Sequence, residues 1–350
     1  MTADEARTLG QGLLAWYRRS GRRLPWRETR DPFAIWVSEV MLQQTRVETV
    51  IPYYHRFLRR FPTVEALAAA ATDEVLGQWE GLGYYARALR LHEGARAMVR
   101  RGEGLPGSVA AWREVPGVGP YMAAALASFA SGAAAPAVDG NVARVMSRVL
   151  ALPRPRLAAS ARAVAGAIEA MMAGAGDPAE VNHALMDLGA TVCRARAPRC
   201  GVCPLASLCR ARSGGDPERY PAPEARGRGP VLAVRIHVIR HLGRVLVYRR
   251  PPGGILGGLW AFPARFENEG GLAVEIPGVT WRAERQAFRH VFTHQTWQVT
   301  ARAGDVARPG PAPDPTRWVD APAVDRLPMG RPDRRVWAWA RELGPATVTL

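Results

Sequence analysis

Two stretches with helical periodicity flank the sequence Glu114-Val115-Pro116-Gly117-Val118-Gly119-Pro120. The two glycines let the backbone come close to a bound group, and the second helix begins at this turn with its first N–H groups exposed. Exposed N–H groups at the start of a helix bind phosphate oxygens. We therefore predict a helix-hairpin-helix at about residues 110–130, with Gly117 and Gly119 against a nucleic-acid backbone. By itself, Pro-Gly-x-Gly is also compatible with a simple connection between helices.

A second candidate site follows the hairpin, in the sequence Val138-Asp139-Gly140-Asn141-Val142. Asp139 stands directly before a predicted helix at 142–150. Aspartate in that position is commonly an N-cap, because its side chain accepts hydrogen bonds from the first free N–H groups. A catalytic carboxylate is the alternative interpretation, and the residues alone leave both open.

A third candidate is Glu39, within the apolar stretch at residues 35–45. On a helix, its neighbours three and four positions away are Ile35, Trp36, Leu42 and Gln43. A carboxyl group between an indole and aliphatic side chains has a raised pKa, because burial disfavours the charged form. The alternative is an amphipathic helix whose one glutamate faces solvent.

Around these sites, the pattern of apolar residues divides the chain into two parts. From about residue 4 to 190, apolar residues recur every three or four positions between Pro/Gly clusters, which predicts an all-α domain. Gly, Pro, Arg and acidic residues then crowd together in a linker. The following elements are predicted as strands at 231–240, 244–249 and 287–300 and a helix at 334–343. The predicted organisation is an all-α domain at 1–212, a linker at 213–229 and a smaller α+β domain at 230–350.

The charge of the chain indicates a polyanionic partner. The formal net charge is +16, and all 47 basic residues are arginine. Basic contacts to phosphates release condensed counterions, so this surplus favours nucleic acid. The sequence has neither a signal peptide nor a run of the ~20 apolar residues that a membrane span needs. We expect a cytoplasmic protein with no membrane contact.

The cysteines form one cluster, spaced Cys193-x6-Cys200-x2-Cys203-x5-Cys209. Two disulfides are not expected in a reducing compartment. Zinc sites usually separate two Cys-x-x-Cys pairs by a longer insert, whereas iron–sulfur clusters are held by four cysteines in compact loops. The spacing favours a [4Fe–4S] cluster and leaves zinc as the alternative. Arg194, Arg196, Arg199 and Arg210 lie in or beside the same loop, where they suit contacts to phosphates.

Several of these motifs together resemble a known family. The cysteine loop resembles that of the endonuclease III superfamily of DNA glycosylases, and the hairpin followed by Asp139 resembles the signature of the same superfamily. Four stretches closely resemble the MutY-type adenine DNA glycosylases, which remove adenine mispaired with 8-oxoguanine: LPWR at 24–27, WVSEVMLQQT at 36–45, GLGYYAR at 81–87 and MDLGA at 186–190. The likeness runs over about residues 10–210 and recurs in the second domain.

The resemblance implies roles for individual residues. Glu39 would protonate the adenine and later activate water, and Asp139 would stabilise the sugar cation, with Tyr121 and Asn141 assisting. Extruding a base from the stack costs a few kcal/mol, part of which an inserted side chain restores. The implied base contacts are Arg22, Leu24, Trp26 and Arg27 around the adenine, Gln44 and Tyr84 as wedges, Thr45 and Leu82 beside the oxidised guanine, and His183 at the adenine edge.

Two departures from the related patterns affect the expected chemistry. Endonuclease III forms a Schiff base with a hairpin lysine, but that position is Tyr121 and the chain contains no lysine. We therefore predict a monofunctional glycosylase that leaves an intact abasic site, with only the N-terminal amine available for slow strand cleavage. The family usually has Gln or Glu at the position of His183. Since imidazole both donates and accepts, we expect activity to survive with an altered pH dependence.

The second domain carries the stretches LGGLWAFP at 256–263 and FRHVFTH at 288–294. These resemble the C-terminal domain of the same family, which is related to Nudix hydrolases. Nudix hydrolysis needs clustered glutamates around a divalent metal, but Glu267, Glu269 and Glu275 do not form an Arg-Glu-x-x-Glu-Glu pattern. This domain is expected to recognise 8-oxoguanine rather than hydrolyse nucleotides. The resemblance assigns that recognition to Phe292, Thr293 and His294; an ordinary strand end is the alternative.

The sequence thus predicts an adenine DNA glycosylase that acts as a monomer on duplex DNA with adenine opposite 8-oxoguanine or guanine. One alternative is an endonuclease III-like glycosylase for another damaged base, which the missing lysine and the second domain disfavour. Another is a non-catalytic DNA-binding scaffold. The joint presence of Glu39, Asp139, Tyr121 and Asn141 argues against the scaffold.

Overall fold

The N-terminal two thirds of the chain is helical, as its apolar periodicity predicts. A computed structural model describes residues 1–155, 157–223, 229–267, 277–308, 311–312 and 315–343. Its first twelve helices are α1 Ala3–Ser20, α2 Pro32–Leu42, α3 Val47–Arg60, α4 Val64–Ala69, α5 Thr72–Trp79, α6 Ala86–Arg101, α7 Val109–Arg113, α8 Pro120–Ser131, α9 Gly140–Leu150, α10 Ala158–Ala175, α11 Pro178–Thr191 and α12 Arg210–Ser213. Among the described residues, no helix is long and apolar enough to cross a membrane.

The predicted hairpin joins α7 to α8. Gly117 has a φ of 82°, a left-handed conformation that glycine adopts without steric cost. Gly119 is the N-cap of α8, and Pro120 follows in the first turn, where its missing N–H is not needed. The helix-hairpin-helix prediction at about 110–130 is therefore confirmed.

The chain divides into two compact units. The first contains Met1–Ala68 and Glu93–Ala225, and the second contains Ala69–His92 and Arg226–Leu350. The segment 69–92 thus groups with the C-terminal half, although its helical pattern continues that of the N-terminal half. The predicted domain boundaries at 212 and 230 stay a prediction, and residues 224–228 of the predicted linker lie outside the described part.

The core of the first unit lies among α1, α9, α10 and α11. Fully buried apolar side chains from each helix meet there, for example Leu13, Met146, Met171 and Leu185. This packing fixes the direction of α9, whose first residue follows Asp139. The position of Asp139 is therefore set by the core rather than by its own loop.

The second unit is built on a mixed sheet with a helix against one face. Its strands are β1 Val231–His241, β2 Arg244–Arg249, β3 Trp260–Ala261, β4 Ala264–Phe266, β5 Val279–Val291, β6 Thr296–Val306 and β7 Thr316–Asp320, and its helices are α13 Ala321–Val324 and α14 Arg331–Glu342. The strand order is β3-β2-β1-β6-β5, with β4 beside β1 and β7 beside β2. Strands β1 and β6 run parallel. Alternate residues of β1 point into the core that includes Trp337 of α14.

Most of the strand predictions for this unit are confirmed, and one is wrong. The β1–β2 hairpin turns at Leu242 and Gly243, both with positive φ. The helix predicted at 334–343 is α14. However, residues 287–300 are not one strand: β5 ends at Val291 and β6 begins at Thr296. The four residues between them form the turn that carries Phe292, Thr293 and His294.

Candidate active site

A pocket of about 720 Å³ in the first unit gathers eleven of the predicted site residues. It is formed where α2, the start of α8, the start of α9 and α11 meet the segment before α2. The predicted residues in its lining are Arg22, Leu24, Trp26, Arg27, Glu39, Gln44, Thr45, Tyr121, Asp139, Asn141 and His183. The remaining predicted base contacts, Leu82, Tyr84, Phe292, Thr293 and His294, belong to the second unit.

Glu39 is a buried carboxyl group in this pocket. Helix α2 begins at Pro32 because Asp31 accepts a hydrogen bond from the N–H of Phe33 at 2.9 Å. The helix carries Glu39 into the pocket with 6% of its surface exposed. Burial raises the pKa of Glu39 to about 7, against the lowering effects of a hydrogen bond from Tyr121 and of Arg27. Glu39 can therefore hold a proton near neutral pH, as predicted.

Helices α7 and α8 of the hairpin both support this arrangement. The indole of Trp36, one turn before Glu39, lies 5.8 Å from that of Trp112 on α7. The hydroxyl of Tyr121 on α8 donates a hydrogen bond to Glu39 Oε2 at 2.8 Å. Burial, and then the nearby Glu39, raise the pKa of Tyr121, so its hydroxyl stays protonated and remains a donor.

Asp139 is both an N-cap and a pocket residue, so the two interpretations of the sequence do not exclude each other. Its Oδ1 accepts a hydrogen bond from the N–H of Val142 at 2.7 Å, and its Oδ2 accepts one from the amide of Asn141 at 3.1 Å. Both groups donate to the carboxylate, so they orient a negative charge toward the pocket. The side chain of Arg144 in turn donates to Asn141 Oδ1 at 2.9 Å and fixes the amide.

Arg22 and Arg27 are held by a residue that the sequence analysis did not assign, Asp187. Arg27 binds the two oxygens of Asp187 through its two Nη atoms, each at 2.9 Å, and Arg22 donates to the same carboxylate through its Nε and its backbone N–H. The side chain of Asp187 is 1% exposed. The stretch MDLGA contains Asp187, but nothing local reveals partners 160 and 165 residues away in sequence.

His183 forms part of the pocket wall. Its ring stacks on Phe129 of α8, with centroids 4.1 Å apart and an interplanar angle of 20°. Burial, followed by the positive charge of Arg27, lowers the pKa of His183 to about 3. The imidazole is therefore neutral near physiological pH, and the expected change in pH dependence is not supported. A neutral imidazole still both donates and accepts.

The two predicted wedge residues share a strained backbone conformation. Gln44 has a φ of 59° and Tyr84 a φ of 50°. Residues other than glycine rarely adopt this region, and strain of this kind clusters at functional sites. Gln44 is exposed, and Tyr84 is 39% exposed. This signal is invisible in the sequence because both positions look like ordinary polar or aromatic residues.

Within the second unit, the predicted lesion-recognition turn lies beside Tyr84. The hydroxyl groups of Tyr84 and Thr293 are hydrogen-bonded. Phe292 packs edge-on against Trp297, with ring centroids 4.8 Å apart, and His294 is exposed. Leu82, by contrast, is buried.

Gly117 and Gly119 of the hairpin differ in backbone conformation. The positive φ of Gly117 calls for glycine. Gly119 has extended backbone, and a Cβ there would meet nothing within 4 Å. The N–H end of α8 therefore opens onto free space, as a phosphate contact needs.

The four cysteines line one small pocket, and none forms a disulfide. Arg148 of α9, itself buried, donates to Cys193 Sγ at 3.3 Å and to the carbonyls of Arg194 and Ala195 at 2.6 and 2.9 Å. These bonds hold the loop closed and place a positive charge beside a thiol ligand. Among the described residues, no group of three or more His, Cys, Asp or Glu is placed so that it could hold a metal ion by itself. The donor set of four thiols around a shared pocket fits a cluster of several irons.

Three family models match the chain. Residues 37–169 match the HhH-GPD superfamily of base excision DNA repair proteins, residues 193–209 match the iron–sulfur binding domain of endonuclease III, and residues 235–339 match the NUDIX domain. The loop at Cys193, Cys200, Cys203 and Cys209 binds a [4Fe–4S] cluster. The fold and site thus define a base excision DNA repair protein with a Nudix-like second domain.

Relatives define the family more narrowly. The chain is 43% identical over 242 residues to an adenine DNA glycosylase of Mycobacterium tuberculosis, covering 63% of this chain and 76% of the relative. It is 37% identical over 309 residues to an adenine DNA glycosylase of Arabidopsis thaliana, covering 76% of this chain and 49% of the relative. The structure of a thermostable thymine-DNA glycosylase aligns with a TM-score of 0.56 at 29% identity, over 60% of this chain and 98% of that one. The chain belongs to the adenine DNA glycosylase family, although it spans only about half the length of the Arabidopsis relative.

Proposed function

We propose that the chain hydrolyses the N-glycosidic bond of adenine mispaired with 8-oxoguanine or guanine in duplex DNA, and that it acts as a monomer. The observation that carries the proposal is that a carboxyl group suited to donate a proton and a second carboxyl group oriented by hydrogen bonds line the same pocket. Glu39 has a pKa of about 7, and Asp139 accepts hydrogen bonds from two donors. Cleavage of a glycosidic bond needs one group of each kind.

The chemistry follows from this pairing. Glu39 in its acid form donates a proton to the departing adenine, which leaves as a neutral base. The sugar develops positive charge as the bond breaks, and the oriented carboxylate of Asp139 stabilises it. Glu39, now a carboxylate, accepts a proton from the attacking water and is restored to its acid form. Tyr121 orients Glu39 through its 2.8 Å hydrogen bond, and Asn141 orients Asp139.

Adenine recognition is assigned to the remaining walls of the pocket. Trp26 offers an aromatic side chain, and Arg22 and Arg27 offer donors whose geometry Asp187 fixes. Because extrusion of the base leaves a gap, we assign Gln44 and Tyr84 as wedges in the stack. The assigned contacts to the opposite oxidised guanine are Thr45, Leu82, Phe292, Thr293 and His294.

The proposed product is an intact strand with an abasic site. Strand cleavage by a glycosylase of the hairpin superfamily proceeds through an imine with a lysine amine. The chain has no lysine, and Tyr121 stands in the hairpin. A phenol does not form an imine, so hydrolysis is the expected course.

The test is a single-turnover assay on an end-labelled duplex with one adenine opposite 8-oxoguanine, with alkali added to half of each sample. We expect cleavage only after alkali, its loss in Glu39→Gln, and its retention in Glu48→Gln, because Glu48 also lines the pocket but is exposed. Cleavage without alkali would instead indicate a lyase. If the protein binds the duplex but releases no adenine, it is a non-catalytic DNA-binding scaffold.

A further inference from the structure

A second cavity lies on the sheet of the Nudix-like unit. Its volume is about 410 Å³, and its lining consists of Arg235, His237, Arg265, Arg285, Thr300 and Arg302. On β1 the residues that alternate with this lining point into the apolar core, so the cavity lies on the opposite face of the sheet. No residue assigned to adenine excision lines it.

The strand register brings four arginines together. Arg235 on β1 is paired with Arg265 on β4, and Arg302 on β6 is paired with Arg285 on β5. Because β1 and β6 are neighbours, the four guanidinium groups come from four adjacent strands. Like charges directly opposite each other destabilise a sheet. The arrangement therefore calls for a negative charge in the cavity.

The described part of the protein supplies little of that negative charge. Over the part of the chain that the structure describes, the one ion pair made by these four arginines joins Arg235 to Glu267 at 2.9 Å. The guanidinium of Arg302 lies instead 3.7 Å from the centroid of the Trp281 ring. Burial, together with Arg285 and Arg235, lowers the pKa of Arg302, which shows that the positive charges act on each other.

We propose that this cavity binds a phosphate group. Guanidinium groups bind phosphate oxygens through paired N–H donors, and several of them together can surround the oxygens of one phosphate. The Trp281 ring, 5.0 Å from that of His237, adds an aromatic surface beside the cavity. The phosphate belongs either to the backbone of bound DNA or to a free nucleotide. Only the DNA source rests on the proposed function.

The experiment compares two double variants of the full-length protein with its cluster in place. Arg265→Gln with Arg285→Gln removes two exposed charges from the cavity. Arg326→Gln with Arg341→Gln removes two exposed charges from the helical side of the same unit and is the matched control. Binding of a fluorescent duplex is measured against salt concentration, and binding of inorganic pyrophosphate is measured by calorimetry.

If the cavity holds a DNA phosphate, the cavity variant lowers the slope of log affinity against log salt by about 1, while the control does not. If it holds a free phosphate compound, pyrophosphate binds the wild type and the control but not the cavity variant, and the DNA slope is unchanged. Thr300→Asp, which keeps every arginine, should weaken the same binding. Equal DNA and pyrophosphate binding in wild type and cavity variant, or an equal loss in the control, would overturn the proposal. Whether the phosphate comes from DNA or from a free compound, the cavity variant should release adenine at the wild-type rate at saturating enzyme. A failure of this proposal can therefore be distinguished from a failure of the proposed function.

Discussion

The hydrogen bond from Tyr121 to Glu39 predicts a measurable shift in the pH dependence of adenine release. The bond stabilises the charged form of Glu39, so Tyr121→Phe should raise the pKa of Glu39 above its present value of about 7. A hydrogen bond to a charged group contributes about 1.5–3 kcal/mol, and one pKa unit corresponds to about 1.4 kcal/mol. The expected shift is therefore about 1–2 pH units upward.

The sign of the rate effect follows from the proposed role of Glu39 as an acid. The rate falls as pH rises through the pKa of Glu39, so the alkaline limb of the profile moves to higher pH in Tyr121→Phe. The assay is the second-order rate constant for adenine release at subsaturating enzyme, which reports the pKa of the free enzyme. His183 does not interfere, because its pKa is about 3. The midpoint of the alkaline limb of the pH–rate profile does not depend on the maximal rate, so a variant that releases adenine more slowly is still informative.

Tyr17→Phe is the matched control. The hydroxyl of Tyr17 accepts a hydrogen bond from Arg27 at 3.4 Å, beside the pocket but not on Glu39. Its removal should leave the midpoint in place. If the midpoint of the alkaline limb in Tyr121→Phe stays fixed or moves to lower pH, the limb does not report a Glu39 carboxyl group whose pKa is lowered by the hydrogen bond from Tyr121.

Three further predictions follow from groups of the same pocket. Folding raises the pKa of Glu39 from 4.5 to about 7, so between these pH values the folded protein keeps a proton that the unfolded chain has released, and the free energy of unfolding falls as pH rises. Glutamine cannot ionise, so Glu39→Gln should be more stable to urea than the wild type by about 3 kcal/mol near pH 8, and the difference should shrink toward pH 5. Asp187→Asn leaves the buried Arg27 without its counter-charge and should lower the free energy of unfolding by about 3 kcal/mol or more, whereas Glu180→Gln, which removes an exposed pair, should lower it by less than about 1 kcal/mol. His183→Gln should leave the pH–rate profile of adenine release unchanged, and a shifted midpoint would show that His183 titrates in the working range.

The parts of the site that sequence reasoning predicted depend on residues close together in the chain. The burial of Glu39 follows from its helical neighbours, and the capping position of Asp139 follows from the helix behind it. Asp187 was missed because its partners lie at the other end of the first unit's sequence, where only the tertiary fold brings them together. Periodicity reports which face of a helix is buried and says nothing of which charges meet there.

The error in the second domain has a different physical origin. Hairpin turns are usually recognised by Gly, Asn or Pro, which supply the backbone conformations that turns need. The turn between β5 and β6 instead reads Phe292-Thr293-His294-Gln295, with none of these residues. Phe292 is aromatic and Thr293 is β-branched, residue types that are enriched in strands, so the stretch at 287–300 resembles one long strand.

The two carboxyl groups of the pocket differ in their environment because Asp139 caps the start of a helix and Glu39 lies in the middle of one. Asp139 is the cap of α9, so both of its oxygens are occupied by N–H donors before any substrate binds. The two donors hold the carboxyl group of Asp139 in one orientation, which suits it as a partner for a developing cation. Glu39 lies mid-helix on α2, where no free backbone N–H is available, and burial dominates its pKa. In the proposed mechanism, the roles of acid and cation stabiliser therefore follow from the position of each residue on its helix. Exchanging the two side chains would not exchange these roles.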